Sequence, residues 1–327
     1  MLIVNPNVTA DHTVRLDLLV PGSVIRTGSG AMTLGGKGVN VARVARRYGH
    51  QATVCSFLPQ ADVELLALLA AREGADLVGV PVPGNARGAT ILIESSGRVT
   101  VLNEPGPQVS TVDWEALVAF VAGRTGSARS LVCAGSLPPG SPADAYASLV
   151  TVARAAGLSS VVDTSGEALR QVLGARPDVV SPNLQEAEAL VFGTAGEVVE
   201  PSGPDIVGRA TAAAEGLVAA GARAAIVSAG SHGAALCGAG VLLWCESPAV
   251  SVVNPIGAGD ALVGGLVHAL EAGRDVADAA AFAIAVASAS CEDPLAGGVD
   301  PVRVDELVAH LRPVPATPTH FLGAPPS

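Results

Sequence analysis

Short runs of apolar residues, many of them β-branched, alternate along this chain with segments of helical periodicity. The runs that predict buried strands begin with MLIV at the start and continue at 51–57, 130–134, 159–163, 178–181 and 224–228. The patterns that predict helices cover 38–48, 62–73, 142–156, 167–173, 185–192, 205–220, 258–271 and 276–290. Strands that alternate with helices of about 10–15 residues form parallel sheets with helices on both faces. The sequence therefore predicts an α/β fold in three layers.

Two segments do not follow this alternation. Residues 13–32 and 87–103 show the period-two pattern of extended strands, for example TILIE at 90–94. We expect them to form a small antiparallel sheet apart from the main one, within about 12–33 and 86–106. At the mouth of a parallel α/β unit such a sheet would be a lid, and lids exclude water from transfer chemistry.

The rest of the chain predicts one domain at 1–312, followed by a Pro-rich tail at 313–327. The longest stretch without a charge, 224–245, contains several glycines, which favour two short strands over a membrane-spanning helix. The first residues lack the basic flank and long apolar core of a signal peptide. We therefore expect a cytoplasmic protein with no membrane partner.

The five cysteines lack CxxC spacing, which predicts buried thiols.

The charge of the chain limits its partners. With 19 Lys and Arg and a formal net charge of −11, the sequence does not predict a nucleic-acid-binding surface. An acidic protein that binds anions must concentrate its few cations at one site. Lys37 lies in a glycine-rich loop, and Arg26 and Arg87 lie in the two predicted lid segments. All three are candidates for holding a phosphate, and the alternative is solvated surface charge.

The first glycine-rich motif is GGKGVNVAR at 35–43. Gly35 and Gly36 would let the backbone approach a ligand closely, and the helix that follows would direct its free N–H groups at that ligand. The alternative is a glycine-rich turn without a ligand. The spacing matches neither a Walker A loop nor GxGxxG, which argues against an NAD-dependent dehydrogenase.

The second motif is NPIGAGDA at 254–261, directly before an apolar helix. Successive N–H groups of Gly257, Ala258 and Gly259 could point at one anion at the helix N-terminus. Asp260, in the first turn, would then be a general base beside a phosphate in transfer. The structural alternative for this residue is a helix cap or a partner of the helix dipole.

Three further motifs follow predicted strands, at the end where open parallel sheets bind ligands. GSLPPG contains Ser136, and VSAGSHGA at 227–234 is a glycine-rich strand end. In SPNLQEAE, Asn183 and Glu186 could hold a metal ion and its water beside nucleotide phosphates. The same pair could instead form a capping box.

In their order, these motifs resemble the ribokinase-like (PfkB) carbohydrate kinase family, over about residues 2–311. NVTADHT at 7–13 is similar to the opening substrate loop of that family, GGKGVN to its first signature, and NPIGAGDA to its second. GSLPPG together with NEPGP at 103–107 is similar to the branch of 1-phosphofructokinases and tagatose-6-phosphate kinases. The resemblance implies a Rossmann-like three-layer α/β core with a small β-sheet lid.

The resemblance also implies a reaction, which is ATP- and Mg²⁺-dependent phosphorylation of a phosphosugar, with fructose 1-phosphate as the expected substrate. Asp260 would be the base, and the amides of Gly257, Ala258 and Gly259 would stabilise the transferring group. The residues implied for the substrate are Asp11, Arg26, Gly35, Gly36, Lys37, Asn40, Arg87 and Ser136. Those implied for the nucleotide are Asn183, Ser228, Gly230, Gly233, Gly257 and Gly259, and Glu186 would reach Mg²⁺ through water.

Several alternatives remain open. A kinase for fructose 6-phosphate, tagatose 6-phosphate, or an unphosphorylated sugar or nucleoside would keep the fold, although a neutral substrate gives Arg26 and Arg87 nothing to bind. Ser181 stands where the family usually has a lysine, which leaves open a non-catalytic sugar-phosphate-binding protein. An exposed edge of the lid could also pair with that of a second copy to form a homodimer.

Overall fold

The computed structural model describes residues 1–194, 201 and 203–316, and these residues form two β-sheets. In chain order the strands are β1 (Leu2–Val4), β2 (Thr9–Leu16), β3 (Ala31–Gly35), β4 (Thr53–Pro59), β5 (Asp76–Val82), β6 (Arg87–Glu94), β7 (Val99–Asn103), β8 (Ser130–Ala134), β9 (Ser159–Asp163), β10 (Val179–Val180), β11 (Ala224–Ser228), β12 (Gly233–Gly238), β13 (Val241–Glu246) and β14 (Val314–Pro315). The helices are α1 (Lys37–Arg47), α2 (Val63–Glu73), α3 (Thr111–Ala122), α4 (Ala145–Ala155), α5 (Gly166–Gly174), α6 (Leu184–Phe192), α7 (Ile206–Ala219), α8 (Ala258–Glu271), α9 (Val276–Ser290) and α10 (Pro301–Val308).

The larger sheet has the strand order β14-β13-β12-β11-β10-β9-β8-β1-β4-β5. From β11 to β5 all neighbouring strands are parallel, and β12 to β14 extend the sheet in antiparallel fashion. The short strand β1 lies inside the sheet between β8 and β4, where Ile3 is in register with Val54 on one side and Val132 on the other. Its side chains are buried on both faces, Ile3 in one core cluster and Leu2 and Val4 in the other, which explains its uninterrupted apolar sequence.

Helices cover both faces of this sheet. One core cluster joins the sheet to α1, α2, α8, α9 and α10, and the other joins it to α3, α4, α5, α6 and α7. Alternation along the strands divides the side chains between the two clusters, so that Val132 belongs to the first cluster and its neighbours Leu131 and Cys133 to the second. The predicted three-layer α/β core is confirmed.

The small sheet has the order β3-β2-β6-β7 and differs from the prediction in one respect. The outer pairs are antiparallel as expected, but β2 and β6 are parallel, from Thr9 opposite Arg87 to Leu16 opposite Glu94. An entirely antiparallel sheet was therefore the wrong prediction. The chain leaves β3 to build α1, β4, α2 and β5 and returns in the direction of β2, which makes the central pair parallel.

Other boundaries also differ from the prediction. Residues 13–32 are not one extended segment, because 17–30 form an exposed connection between β2 and β3. Residues 224–245 contain β11, β12 and most of β13, three strands where two were predicted. Within the predicted tail, Val314–Pro315 pairs with β13, whereas 317–327 lie outside the described residues.

Two helices and two strands of the described residues were not predicted, namely α3, α10, β5 and β14. Among the helices of the described part of the chain, none has the length and apolar composition that a membrane span requires.

We expect Leu117→Ala to destabilise the protein markedly. Leu117 lies on α3, is completely buried, and belongs to the core cluster on that face of the sheet. Its truncation should lower the free energy of unfolding by about 2–5 kcal/mol, since it removes apolar contacts and leaves a cavity. Val112→Ala on the same helix is the control, because Val112 is 72% exposed and should change stability by less than about 0.5 kcal/mol. Urea denaturation followed by tryptophan fluorescence measures both, and equal effects would contradict the assignment.

Candidate active site

A cavity of about 370 Å³ lies where the carboxyl ends of the central strands meet the small sheet. Residues that follow β1, β8 and β9 form one side of it, and residues of β2, β6 and β7 form the other. This is the end of a parallel sheet at which α/β proteins bind ligands. The predicted site residues that line the cavity are Asp11, Gly36, Lys37, Asn40, Arg87, Ser136, Glu186 and Asp260.

The turn before α8 is fixed by Asn254. Its side-chain Oδ1 accepts a hydrogen bond from the N–H of Ile256 at 3.0 Å, and its Nδ2 donates to the carbonyl of Pro294 at 3.1 Å. Gly257 caps the helix with a φ of +81°, in the left-handed region that favours glycine. The helix therefore begins beside the cavity, and the partial positive charge of its first turn lies next to Asp260.

Asp260 is 7% exposed, and its environment changes its acidity. Burial raises the pKa of Asp260 to about 7, and the charge of Asp163 acts in the same direction. Lys37, a hydrogen bond from Asn40 and the charge of Arg43 oppose this rise. The Asn40 Nδ2 atom lies 2.6 Å from Asp260 Oδ2. A carboxyl group with a pKa near neutrality suits general-base chemistry.

Lys37 is the first residue of α1, and its Nζ lies 3.0 Å from Oδ1 of Asp163 at the end of β9. Burial disfavours its charge, but Asp163, Glu186 and Asp260 together hold the pKa of Lys37 above its ordinary value. The ammonium group is therefore charged at neutral pH. It can bind a phosphate as a point charge.

The glycine turn before α1 is built around Asn5, which follows β1. The Oδ1 atom of Asn5 accepts a hydrogen bond from the N–H of Gly38 at 2.8 Å. Gly36 has a φ of +110°, and a Cβ atom on it would come within 2.5 Å of the same Oδ1. The turn thus needs glycine for structural reasons, and it also brings backbone to the cavity wall.

Arg87 and Ser136 face each other from opposite sides of the cavity. Arg87 begins β6, donates from Nε to the carbonyl of Glu104 at 2.7 Å, and has Nη1 3.4 Å from the Ser136 hydroxyl. Burial lowers the pKa of Arg87 and Asp11 opposes this, but a guanidinium group stays charged at neutral pH. A guanidinium beside a hydroxyl is a donor set that suits a phosphate.

Asp11 lies on β2, in register with Thr33 of β3 and Ala89 of β6. The Thr9 hydroxyl donates a hydrogen bond to Asp11 Oδ1. Burial raises the pKa of Asp11, and the bond from Thr9 and the charge of Arg87 counteract part of that rise. An ionised Asp11 can accept hydrogen bonds from hydroxyl groups of a ligand.

Asn183 and Glu186 form the capping box that was the structural alternative for this pair. The N–H of Asn183 donates to Glu186 Oε2 at 2.9 Å, and the N–H of Glu186 donates to Asn183 Oδ1 at 2.9 Å. Glu186 nevertheless lines the cavity. Within residues 1–194, 201 and 203–316, no three His, Cys, Asp or Glu side chains are grouped so that they could hold a metal ion.

Nine predicted residues do not line this cavity. Asn183 directly precedes α6, Gly257 directly precedes α8, and Ala258 and Gly259 are the first two residues of α8. Arg26 is exposed in the connection between β2 and β3, Gly35 ends β3, and Ser228, Gly230 and Gly233 lie at and beyond the end of β11. A parallel bridge between Ser228 and Asn183 links the end of β11 to the residue that directly precedes α6. From β1 to β11 the strand ends are neighbours in the order β1, β8, β9, β10, β11. They therefore span about 19 Å, which leaves room for a second, elongated ligand beside the first.

Sequence reasoning missed three residues that shape the site. Asn5 and Asp163 lie at the carboxyl ends of β1 and β9, the position that was used to select Ser136, so the same rule could have found them. Arg43 lies inside the first glycine-rich motif, three residues after Asn40 on the predicted helix, so helical spacing could have indicated the contact between the two side chains.

The sequence is similar to enzymes that phosphorylate sugar phosphates. The 1-phosphofructokinase of Rhodobacter capsulatus is 34% identical over 284 residues, which cover 86% of this chain and 87% of that protein. The 1-phosphofructokinase of Escherichia coli K12 is 30% identical over 276 residues, 84% of this chain and 86% of the relative.

Solved structures show the same architecture. Phosphofructokinase-2 from Escherichia coli in complex with fructose-6-phosphate has a TM-score of 0.81 at 25% identity, and the match covers 95% of this chain and 98% of that one. Ribokinase from Thermotoga maritima has a TM-score of 0.72 at 20% identity, with 94% and 99% covered, and supports the fold alone.

The family resemblance predicted from the motifs is confirmed. The pattern described as pfkB family carbohydrate kinase matches residues 5–302, which include both glycine-rich motifs and every residue that lines the cavity. The alignments with the two 1-phosphofructokinases also cover more than four-fifths of the chain. The chain therefore belongs to the pfkB family of carbohydrate kinases, whose phosphoryl donor is ATP.

Proposed function

We propose that this kinase phosphorylates fructose 1-phosphate on its C6 hydroxyl, forming fructose 1,6-bisphosphate and ADP. The observation that carries the proposal is that one cavity holds a buried carboxyl group of near-neutral pKa, Asp260, together with the cations Lys37 and Arg87. A base alone would serve any sugar. The two cations favour a substrate that already has a phosphate, and the named relatives act on such a substrate.

In the proposed reaction, the carboxylate of Asp260 accepts the proton of the C6 hydroxyl as its oxygen bonds to the γ-phosphorus of ATP. The bond from that phosphorus to the bridging oxygen of the β-phosphate breaks, and ADP leaves. The N–H groups of Gly257, Ala258 and Gly259, at the start of α8, stabilise the negative charge on the transferring group.

Two sets of residues hold the sugar in this proposal. Asp11, Gly36 and Asn40 orient its hydroxyl groups, and Lys37, Arg87 and Ser136 bind the 1-phosphate. Arg26, which the family resemblance implied for the substrate, is left out because it is exposed away from the cavity lining.

The nucleotide would lie along the neighbouring strand ends, near Asn183, Ser228, Gly230 and Gly233, with its γ-phosphate toward Gly257 and Gly259. Mg²⁺ fits the donors present, since it is commonly held by one or two carboxylates together with substrate phosphates and water. Glu186 is the carboxylate that would reach it through water, and the ion would supply neutralising charge to the phosphate oxygens. We place this activity in the cytoplasm, where ATP is available.

The small sheet would have a second role in assembly. It acts in this proposal as the lid over the sugar, and its apolar residues Met32 and Leu102 are exposed. Strands β3 and β7 are the edges of that sheet. Exposed edges and apolar surface favour pairing with a second copy, so we propose a homodimer formed through the lid.

A coupled ADP-release assay over fructose 1-phosphate, fructose 6-phosphate, tagatose 6-phosphate and fructose tests the function. We expect kcat/KM to be highest for fructose 1-phosphate and at least about 10²-fold lower for fructose, because fructose has no phosphate for Lys37 and Arg87 to bind. ³¹P NMR of the product should show phosphates on C1 and C6. A higher kcat/KM for fructose 6-phosphate or tagatose 6-phosphate would contradict the assignment of fructose 1-phosphate as the substrate. The absence of ADP release with every sugar phosphate would overturn the proposal.

A further inference from the structure

We propose that Arg43 is a positioning residue for phosphoryl transfer: its guanidinium group holds the side-chain carbonyl of Asn40, so that the amide NH₂ of Asn40 faces the carboxylate of Asp260. This inference rests on the proposed function in one respect, which is that Asp260 is the base. It assigns a role to a residue that is not itself among those lining the cavity.

The three side chains form a short relay. Arg43 Nη1 lies 2.5 Å from Asn40 Oδ1, and Asn40 Nδ2 lies 2.6 Å from Asp260 Oδ2. An arginine offers only donors, so the amide atom that faces it must be the carbonyl oxygen. The other end of the amide is then a donor, and it meets a carboxylate oxygen, which can only accept while it is ionised. Arg43 therefore fixes which way the Asn40 amide points.

Arg43 is itself held on several sides. Its side chain is 9% exposed, and it forms an ion pair with Glu73 of α2, which is 16% exposed. Its Nε donates to Glu73 Oε2 at 3.1 Å, and Nη1 also donates to the carbonyl of Ala296 at 3.0 Å. Nη2 donates to Glu73 and to the carbonyl of Leu34. A lysine has a single nitrogen and could not satisfy acceptors in so many directions at once.

The same ion pair reaches the strand that leads into the glycine turn. Glu73 Oε1 accepts a hydrogen bond from the N–H of Leu34 at 2.7 Å, and the carbonyl of Leu34 accepts from Arg43. Leu34 directly precedes Gly35 and Gly36. The Arg43–Glu73 pair thus ties the turn that contacts the sugar to the amide that contacts the base.

Removal of Arg43 should change the acidity of the base. The charged groups that act on Asp260 are Lys37 and Arg43, which lower its pKa, and Asp163, which raises it together with burial. The hydrogen bond from Asn40 also favours the ionised form. Without Arg43 its own charge is lost and the Asn40 amide is free to rotate, and both changes favour the protonated carboxyl. The pKa of Asp260 should therefore rise.

The test compares Arg43→Met and Arg43→Lys with Arg46→Met. Arg46 is a matched control, since it lies on the same helix and also contacts Glu73, donating to its carbonyl at 2.7 Å, but its contact is on the surface. We expect Arg43→Met to lower kcat by about 10–100-fold through misplacement of the reacting groups. The acid limb of the pH profile should move to higher pH, and the KM for ATP should change little. Arg43→Lys should be intermediate, and Arg46→Met should match the wild type.

A second measurement keeps this inference separate from the proposed function. ¹³C NMR of labelled aspartate carboxyl groups, with Asp260 assigned through Asp260→Asn, gives the pKa of Asp260 without turnover. If the wild type releases no ADP with any sugar phosphate, the function fails, and a raised pKa of Asp260 in the Arg43 variants still supports the relay. Should Arg43→Met not fold, Arg43→Lys carries the test. Arg43 variants that are folded by circular dichroism and keep both the wild-type kcat and the Asp260 pKa overturn the inference.

Discussion

Asp260→Asn is expected to lower kcat by about 10²–10⁴, the range typical for loss of a general base. Asparagine has nearly the same shape, and its carbonyl oxygen can still accept the hydrogen bond that Asn40 donates at 2.6 Å. It cannot accept a proton from the sugar hydroxyl. The fold and the binding of sugar phosphate should therefore remain near normal, which ADP release and calorimetric titration together would measure.

The pH dependence of kcat in the wild type is a second test of Asp260 as the general base. A base must be ionised to act, and burial raises the pKa of Asp260 to about 7. Activity should therefore fall as the pH drops through neutrality, and the residual activity of Asp260→Asn should lack this limb. Asp305→Asn, at an exposed position of α10, should behave like the wild type. An Asp260→Asn variant that keeps most of its kcat would remove Asp260 from the mechanism.

Arg87→Met should reduce kcat/KM for fructose 1-phosphate by about 10²–10³-fold, because a half-buried cation that faces a phosphate is lost. Activity on fructose, however low, should change little, since fructose has no phosphate for Arg87 to bind. Arg15→Met is the matched control. Arg15 is an exposed cation on the neighbouring strand β2, opposite Ile93 and six residues along the sheet from the pair of Thr9 and Arg87.

The comparison of the two sugars decides what Arg87 does. Its Nε also donates to the carbonyl of Glu104, so the substitution removes a structural contact as well. An equal loss on fructose and on fructose 1-phosphate would show that this structural contact matters and that the phosphate lies elsewhere. A loss confined to fructose 1-phosphate supports the proposed site.

The sequence predicts the large sheet well because its strands are buried on both faces and its helices are amphipathic. The helix α3 was missed because apolar residues occur around most of it, in TVDWEALVAFVA, so that it lacks a clear period. Its start was nevertheless visible, since Ser110 and Asp113 have capping-box spacing and form that box. The start of α10 was visible too, where Asp300 precedes Pro301.

The structure brings eight of the predicted residues to one cavity, but the contacts among them were not predicted. Local motifs predict glycine turns and strand ends, and these hold Gly36, Lys37 and Asp260. The hydrogen bond between Asn40 and Asp260 joins residues 220 positions apart, and no local pattern contains it. Arg26 was selected for its charge, but it is exposed and does not line the cavity, because a positive charge in a lid segment does not determine the direction in which that segment faces.

The parallel pairing of β2 with β6 has a consequence for how the protein acquires its binding site. Residues 17–86 separate the two strands, and they include β3, α1, β4, α2 and β5. Closing so long a stretch of chain costs entropy that is recovered only once both strands have met. A nascent chain that ends before β6 does not yet contain Arg87. An intermediate in which only the larger sheet has assembled would not yet bring Asp11 and Arg87 together. Affinity for the sugar should therefore arise only once β2 and β6 have paired, even where the larger sheet has already formed.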